Sequence, residues 1–293
     1  MHGWVCCAEP TPRRSKDIDS NAAMTTTSKD DVPRDDATSR VSLTVADTVA
    51  EIGLQSGPLN LVNNALLRSL NHALSDVASR PAIRCLIIHG EGARAFCVGS
   101  DINDLPGLRD DASERKILFE DMVLRRLARM PMPTIAAIDG PALGGGLEIA
   151  LACDLRVCKS GVQLGLSESR LGGLAGNGSI RLTRLVGPAR AKELLYIGDA
   201  IAAEQALAWG LVNRIVEVGT ALDGARQMAS TIAARGPLSN RLAKKLVDAA
   251  QDVALDAGLS MSTTAQQEIF DSDDLREGVA AFFDKRAPQF VGR

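Results

Sequence analysis

Aromatic side chains are scarce in this chain. They make up 3% of its 293 residues, too few for a surface that stacks the bases of single-stranded nucleic acid. A basic footprint is missing too. Lys and Arg number 33 against 36 Asp and Glu, a net charge of -3, so no DNA or RNA partner is expected. No apolar run reaches the roughly 18 residues that a membrane span needs, so no membrane partner is expected either. Histidine is reduced to His2, His72 and His89. His72 falls in a helical pattern and His89 ends an apolar strand, which argues against a Ser-His-Asp or Cys-His machine. Cys6, Cys7, Cys85, Cys97, Cys153 and Cys158 form no C-x-x-C pair, so the spacing of a zinc ribbon or a thioredoxin-like site is missing. That usage fits reduced thiols in a cytoplasmic protein without a metal. Phosphate loops are missing as well. No Gly-Lys pair exists, and Gly144-x-Gly146 and Gly176-x-Gly178 lead to Ile149 and Arg181 where a dinucleotide fingerprint needs a third glycine.

What is present is globular. Hydrophobic residues make up 45% and charged residues 24%, close to the usual composition of a folded domain. Residues 1–40 stand apart. They mix Pro10, Pro12 and Pro33 with Ser, Thr, Asp and Arg and show no apolar period, so a disordered tail is expected. Met24 is an alternative start. The rest divides into a core over 41–235 and a helical extension over 236–293.

Within the core, Val41–Ala46 and Val49–Leu54 alternate and predict a hairpin around Asp47 and Thr48. Val62, Leu66, Leu70, Ala73 and Val77 share one face of a helix over 60–79. Cys85–His89 and Thr134–Ile138 are short apolar runs, expected as buried strands. Residues 113–129 predict a helix with Ser113 as N-cap. Ala142–Cys153 predicts a helix with a glycine start. Leu155–Lys159, Val162–Leu164 and Leu211–Val216 are strand-like, and Ala189–Tyr196 and Ala202–Trp209 helical. Pro237 suits a first helical turn, and helices over 259–270 and 274–284 follow. Strands and helices alternating in this way imply an α/β layout of β-β-α units.

Gly144, Gly145 and Gly146 follow a strand and open a helix. Three helical glycines cost about 1 kcal/mol each against alanine. Close backbone packing is one compensation. The other is a ligand oxygen held by free N–H groups at the helix start, where no Cβ blocks its approach. That is the build of an oxyanion hole. Glu148 follows inside an apolar stretch, with no cation among Ile149 to Cys153, and Glu168 ends the strand-like segment after Leu164. Together the two carboxylates could flank one reaction centre as acid and base.

These residues carry a family likeness. Phe96–Ile102 (FCVGSDI), Ile135–Asp154 (IAAIDGPALGGGLEIALACD), Leu164–Gly172 (LGLSESRLG), Arg184–Asp199 and Phe282–Arg293 resemble, in order, the landmarks of the enoyl-CoA hydratase/isomerase (crotonase) superfamily. The resemblance spans about 41–293. It implies a spiral of β-β-α units with C-terminal helices packing at subunit interfaces, in trimers or dimers of trimers. It implies an acyl-CoA or enoyl-CoA thioester as partner and no cofactor beyond the CoA of the substrate. By motif position the backbone N–H groups of Ser100 and Gly145 would hold the thioester oxygen. Ser100, Asp101, Ile102, Asn103, Gly144 and Gly145 would line the bound CoA thioester, and Arg184, Lys192 and Lys285 are candidate phosphate contacts. Glu148 and Glu168 match the two glutamates of members that hydrate 2-enoyl-CoA.

The chain departs from the pattern in places. Asn103 stands where Lys is common, Ser167 where Pro is usual, and Leu61 replaces a small residue. The stretch Gly173–Ser179 looks one residue short, and Asn177 is the candidate there to supply a polar group to a bound water. An enoyl-CoA isomerase, a specialised dehydratase, a hydrolase and an inactive CoA-binding relic remain alternatives to the hydratase. Two glutamates speak for hydration, because isomerisation needs only one.

Overall fold

The computed structural model describes residues 39–293 apart from Ala93. The tail expected over 1–40 lies outside the described residues, except for Ser39 and Arg40. Strand β1 (Arg40–Ala46) turns back into β2 (Val49–Gln55). Their antiparallel register runs from Ala46 opposite Val49 to Arg40 opposite Gln55. Asp47 takes the left-handed turn position, φ 52°, which Asp tolerates better than most residues. Helix α1 (Asn64–Ala78) starts later than its apolar period suggests. Asn63 caps it by accepting from Leu66 N–H at 2.9 Å. Buried Asn60 instead donates to the Ala95 and Phe96 carbonyls.

Strand β3 (Cys85–Gly90) is followed by a 3-10 turn over Ile102–Gly107, a π-helical turn over Ser113–Ile117 and α2 (Leu118–Ala128). A helix therefore forms where 113–129 predicts one, but Ser113 is not its cap. It lies inside the π turn, and Ala112 before it is already helical with no side-chain cap bond. Strands β4 (Thr134–Ile138) and β5 (Ala142–Leu143) lead to α3 (Gly145–Ala152). The expected single helix over Ala142–Cys153 is thus divided. Ala142 and Leu143 pair with a neighbouring strand, and Gly144 turns the chain at φ 51°.

Strands β6 (Leu155–Lys159) and β7 (Gln163–Gly165), a 3-10 turn over Glu168–Leu171, α4 (Gly176–Val186) and α5 (Pro188–Ile197) come next. The chain ends through β8 (Ile201–Ala202), α6 (Ala203–Ala208), β9 (Arg214–Val216), α7 (Ala221–Ala233), α8 (Pro237–Ala249), α9 (Leu255–Asp271) and α10 (Asp273–Asp284). The strand expected over 211–216 begins only at Arg214. No described helix is long and apolar enough to cross a membrane.

The main sheet has the order β1-β2-β3-β4-β6-β9, parallel apart from the β1 edge. Its middle strands are buried on both faces, which is why they read as unbroken apolar runs. Leu86, Ile88, Ala136 and Ile138 face the larger core with α1, α2 and α3. Cys85, Ile87, Ile135 and Ala137 face the other way and pack on Ala221, Ala225 and Ala229 of α7. Alternate residues divide between the cores as the two-residue period of a strand requires.

A second ladder positions the functional residues. Strands β5, β7 and β8 form a small sheet. Two isolated bridges extend it, Val62 with Ser100 and Cys97 with Ala142. Successive rungs are tied by Val62 N–H to Gly99 O at 2.9 Å, Leu143 N–H to Cys97 O at 3.0 Å and Gly144 N–H to Gly165 O at 2.9 Å. Backbone bonds thus stack the segments carrying Ser100, Gly144 and Glu168 in neighbouring turns.

Candidate active site

The three glycines have three different reasons to be glycine. A Cβ on Gly146 would lie 2.0 Å from Cys97 O, so Gly146 is there for backbone packing. Gly144 is left-handed, and a Cβ on it would meet Glu168 Oε1 at 2.9 Å. A Cβ on Gly145 would find only ordinary contacts, at 3.4 to 3.7 Å, with Glu120 Oε1, Val62 Cγ2 and Ser100 Oγ. Nothing in the protein demands glycine there, which leaves room for a ligand. Gly145 opens α3, so the helix leaves its N–H unpaired. Among the described residues, neither it nor Ser100 N–H donates to a loop or cap carbonyl. Gly99 joins the two segments, since a Cβ on it would lie 3.4 Å from Gly145 N.

The carboxylates border the same turn. Glu148 N–H bonds Gly144 O at 3.0 Å in the first turn of α3. Its side chain is buried, and its Oε1 accepts from Gly178 N–H at 2.6 Å. Burial pushes its pKa up to about 7; the Gly178 N–H pulls down, while Glu120 and Glu168 push up. Glu168 begins the 3-10 turn after β7, with Oε1 beside Gly144. Its Oε2 is buried without a hydrogen-bond partner among the described residues, and burial raises its pKa too. Two carboxyl groups held above their ordinary range in one place suit proton transfer near neutral pH.

The other predicted positions are more open. Asp101 N–H completes the rung to Val62 O at 3.2 Å. Asp101 Oδ1 accepts from Asn103 N–H at 2.9 Å and from Asn103 Nδ2 at 2.8 Å. Ile102 is exposed between them. Arg184 is exposed and pairs with Asp252 at 2.6 Å, and Lys192 and Lys285 are exposed. Asn177, expected to face a water, is otherwise engaged. It lies on α4, donates to Asp121 Oδ1 at 2.9 Å and accepts from Arg181 Nε. The polar group this stretch supplies is the Gly178 N–H on Glu148, a backbone donor that no side chain announces.

Sequence reasoning also missed Lys116 and Glu120. They form an ion pair of 2.9 Å, and Lys116 Nζ donates to Ser100 Oγ at 3.0 Å. Their four-residue spacing on a helix was the available signal, but it marks solvated pairs just as often.

The enoyl-CoA hydratase/isomerase family pattern matches residues 44–293. The chain belongs to the enoyl-CoA hydratase/isomerase family. It is 35% identical over 236 residues to the crotonyl-CoA hydratase of Syntrophomonas wolfei, covering 80% of this chain and 91% of that one. It is 35% identical over 254 residues to the (E)-benzylidenesuccinyl-CoA hydratase of Thauera aromatica, covering 86% and 99%. The solved enoyl-CoA hydratase from Bacillus anthracis superposes with a TM-score of 0.83 at 35% identity, over 87% of this chain and 100% of that one. The α/β spiral with its C-terminal helices is thus the crotonase fold. The relatives carry very different acyl groups in their names, so family membership does not set the acyl group here.

Proposed function

We propose that the protein is an enoyl-CoA hydratase, a hydro-lyase that adds water reversibly across the 2,3 double bond of a 2-enoyl-CoA thioester. The observation that carries this reading is the buried Glu148 and the half-buried Glu168, whose Oε2 is enclosed, bordering the Gly144–Gly145 turn next to two free backbone donors. In the proposed reaction the thioester oxygen lies between Ser100 N–H and Gly145 N–H. Glu148, oriented by the Gly178 N–H, takes a proton from water as the water oxygen bonds to the β-carbon. Negative charge moves to the thioester oxygen, where preorganised donors stabilise it at no cost of reorganisation; one such donor contributes about 2.7–4 kcal/mol. Glu168 delivers its proton to the α-carbon. A buried, unpartnered Oε2 favours the neutral carboxyl that this step requires. Exchange with solvent then resets both groups.

Ser100, Asp101, Ile102, Asn103 and Gly144 line the CoA in this proposal, and coenzyme A enters only as part of the substrate. The exposed aromatic rings of Phe270, Phe282 and Phe283 on α9 and α10 support assembly into a trimer or dimer of trimers, which sedimentation would resolve.

The test is the loss of conjugated-enoyl absorbance on adding crotonyl-CoA. Glu148→Ala and Glu168→Ala should each abolish it, and Glu168→Gln should keep the fold and CoA binding while losing most turnover. A folded protein that binds CoA thioesters but leaves the absorbance unchanged would overturn hydration in favour of another reaction of the family.

A further inference from the structure

Lys116 and Glu120 have no part in the proposed hydration, yet they stand beside it. Their side chains are only 19% and 15% exposed. Lys116 Nζ is bonded to the hydroxyl of the same Ser100 whose N–H faces the site. Outside the backbone of α3 and the neighbours of Gly145, Glu120 Oε1 is the nearest atom, at 3.4 Å, to the point where a Cβ on Gly145 would project. The charge of Glu120 reaches both Glu148 and Glu168. The local fold brings this about. Lys116 lies in the π-helical turn and Glu120 in the first turn of α2, and π turns recur at functional sites. The result is a polar wall beside the space that a Cβ on Gly145 would fill.

Such a wall contributes little to stability. The desolvation of a largely buried ion pair offsets most of its attraction, and well-packed apolar side chains stabilise as well or better. It also suits a plain hydrocarbon acyl chain badly, because the chain would strip the remaining water from both charges and return no hydrogen bond. A hydroxyl group is matched on both sides. Its oxygen can accept from the ammonium, which has three donors and uses two, and its hydrogen can go to the carboxylate. An anionic acyl end would meet Glu120, Glu148 and Glu168 around a single ammonium.

We propose that Lys116 and Glu120 form the acyl-recognition element of this site, and that it selects acyl-CoA thioesters whose chain carries a neutral hydroxyl group beyond the reacting carbons. The inference rests on the CoA-thioester reading of the site but not on hydration as the reaction.

Calorimetric titration of the full chain with freshly prepared saturated thioesters, which have no double bond to hydrate, tests it. The probes are butyryl-CoA against 4-hydroxybutyryl-CoA, pentanoyl-CoA against 5-hydroxypentanoyl-CoA, and succinyl-CoA as the anionic control. At one of the two lengths the hydroxylated thioester should bind about tenfold tighter than its methyl-ended counterpart. Succinyl-CoA should bind weakest. The charge-balanced double variant Lys116→Leu/Glu120→Leu should reverse the hydroxyl preference. Circular dichroism checks its fold; if it fails to fold, Glu120→Gln serves instead and should at least halve the preference. Equal or weaker binding of the hydroxylated probes at both lengths would overturn the proposal. So would an unchanged preference in the variant, or tightest binding by succinyl-CoA. Failure of every thioester to bind would overturn the thioester reading and this inference together. Binding with the expected preference but no hydration of crotonyl-CoA would overturn only the hydratase.

Discussion

Replacing Glu148 by Gln should make the protein more stable above neutral pH while removing its proposed activity. Glu148 is buried, and its pKa rises from 4.5 to about 7 chiefly because burial disfavours the charged form. Between those values the folded chain keeps a proton that the unfolded chain has released. Stability therefore falls as pH rises through this window. Each tenfold change in acidity between the two states corresponds to about 1.4 kcal/mol, so the full penalty is roughly 3 kcal/mol above pH 7 and vanishes below pH 4.5. Gln carries no charge and can still accept the Gly178 N–H through its amide oxygen. Denaturant unfolding of wild type and Glu148→Gln at intervals from pH 4.5 to 8.5 measures the difference. The two curves should nearly coincide at the acid end and separate steadily, with the variant more stable by about 2–3 kcal/mol at pH 8. A difference independent of pH, or a variant less stable at pH 8, would refute burial of the charged carboxylate as the cause.

Other outcomes follow from contacts around the site. Gly146→Ala should lower the melting temperature sharply, because its Cβ would lie 2.0 Å from Cys97 O, whereas Gly145→Ala should melt near wild type yet bind CoA thioesters weakly. Arg156 is buried and donates to the carbonyls of Leu211 at 2.6 Å and Cys153 at 2.9 Å. Arg156→Met should cost about 3 kcal/mol or more in denaturant unfolding, since it leaves buried acceptors unpaired. Asp139 accepts from Ala221 N–H at 2.6 Å and Leu222 N–H at 3.1 Å at the start of α7. Asp139→Ala should cost about 1–2 kcal/mol in the same assay. Cys85, Cys97, Cys153 and Cys158 are buried, with thiols pushed up to about 12 by desolvation. Mass spectrometry after native alkylation should find these four unmodified, and modified once the chain is unfolded.

Much of the fold is legible in the sequence because burial on both sides leaves an unmistakable trace. Cys85–His89 and Thr134–Ile138 read as strands for that reason, and the β1–β2 hairpin reads from its alternation. Legibility fails where tertiary pairing overrides local pattern. Ala142 and Leu143 continue an apolar helix on paper, but their partners Leu164 and Gly165 hold them in a ladder. The stretch from Gly176 is glycine-rich and still helical, because Leu182 and Val186 give it an apolar face to bury. At the site, Glu148 and the glycines are visible as oddities in an apolar run. The Gly178 N–H is invisible because every residue but proline has one. Lys116 and Glu120 look like a surface pair, and only their burial separates them from one.

The second ladder has a consequence for how such a site can change over time. Ser100, Gly144 and Glu168 are held in mutual register by main-chain bonds between Val62 and Gly99, Leu143 and Cys97, and Gly144 and Gly165. None of those bonds depends on a side chain, or on how far the chain wanders between one rung and the next. The stretch from Ile102 to Met122, which carries Lys116 and Glu120 and holds no buried core residue among the described residues, is one such excursion. It can lengthen, shorten or trade residues while the hole and the carboxylates stay where they are. The proposed thioester apparatus and the proposed acyl-recognition wall thus lie on separable parts of one chain. A lineage can acquire a new substrate without reinventing the reaction.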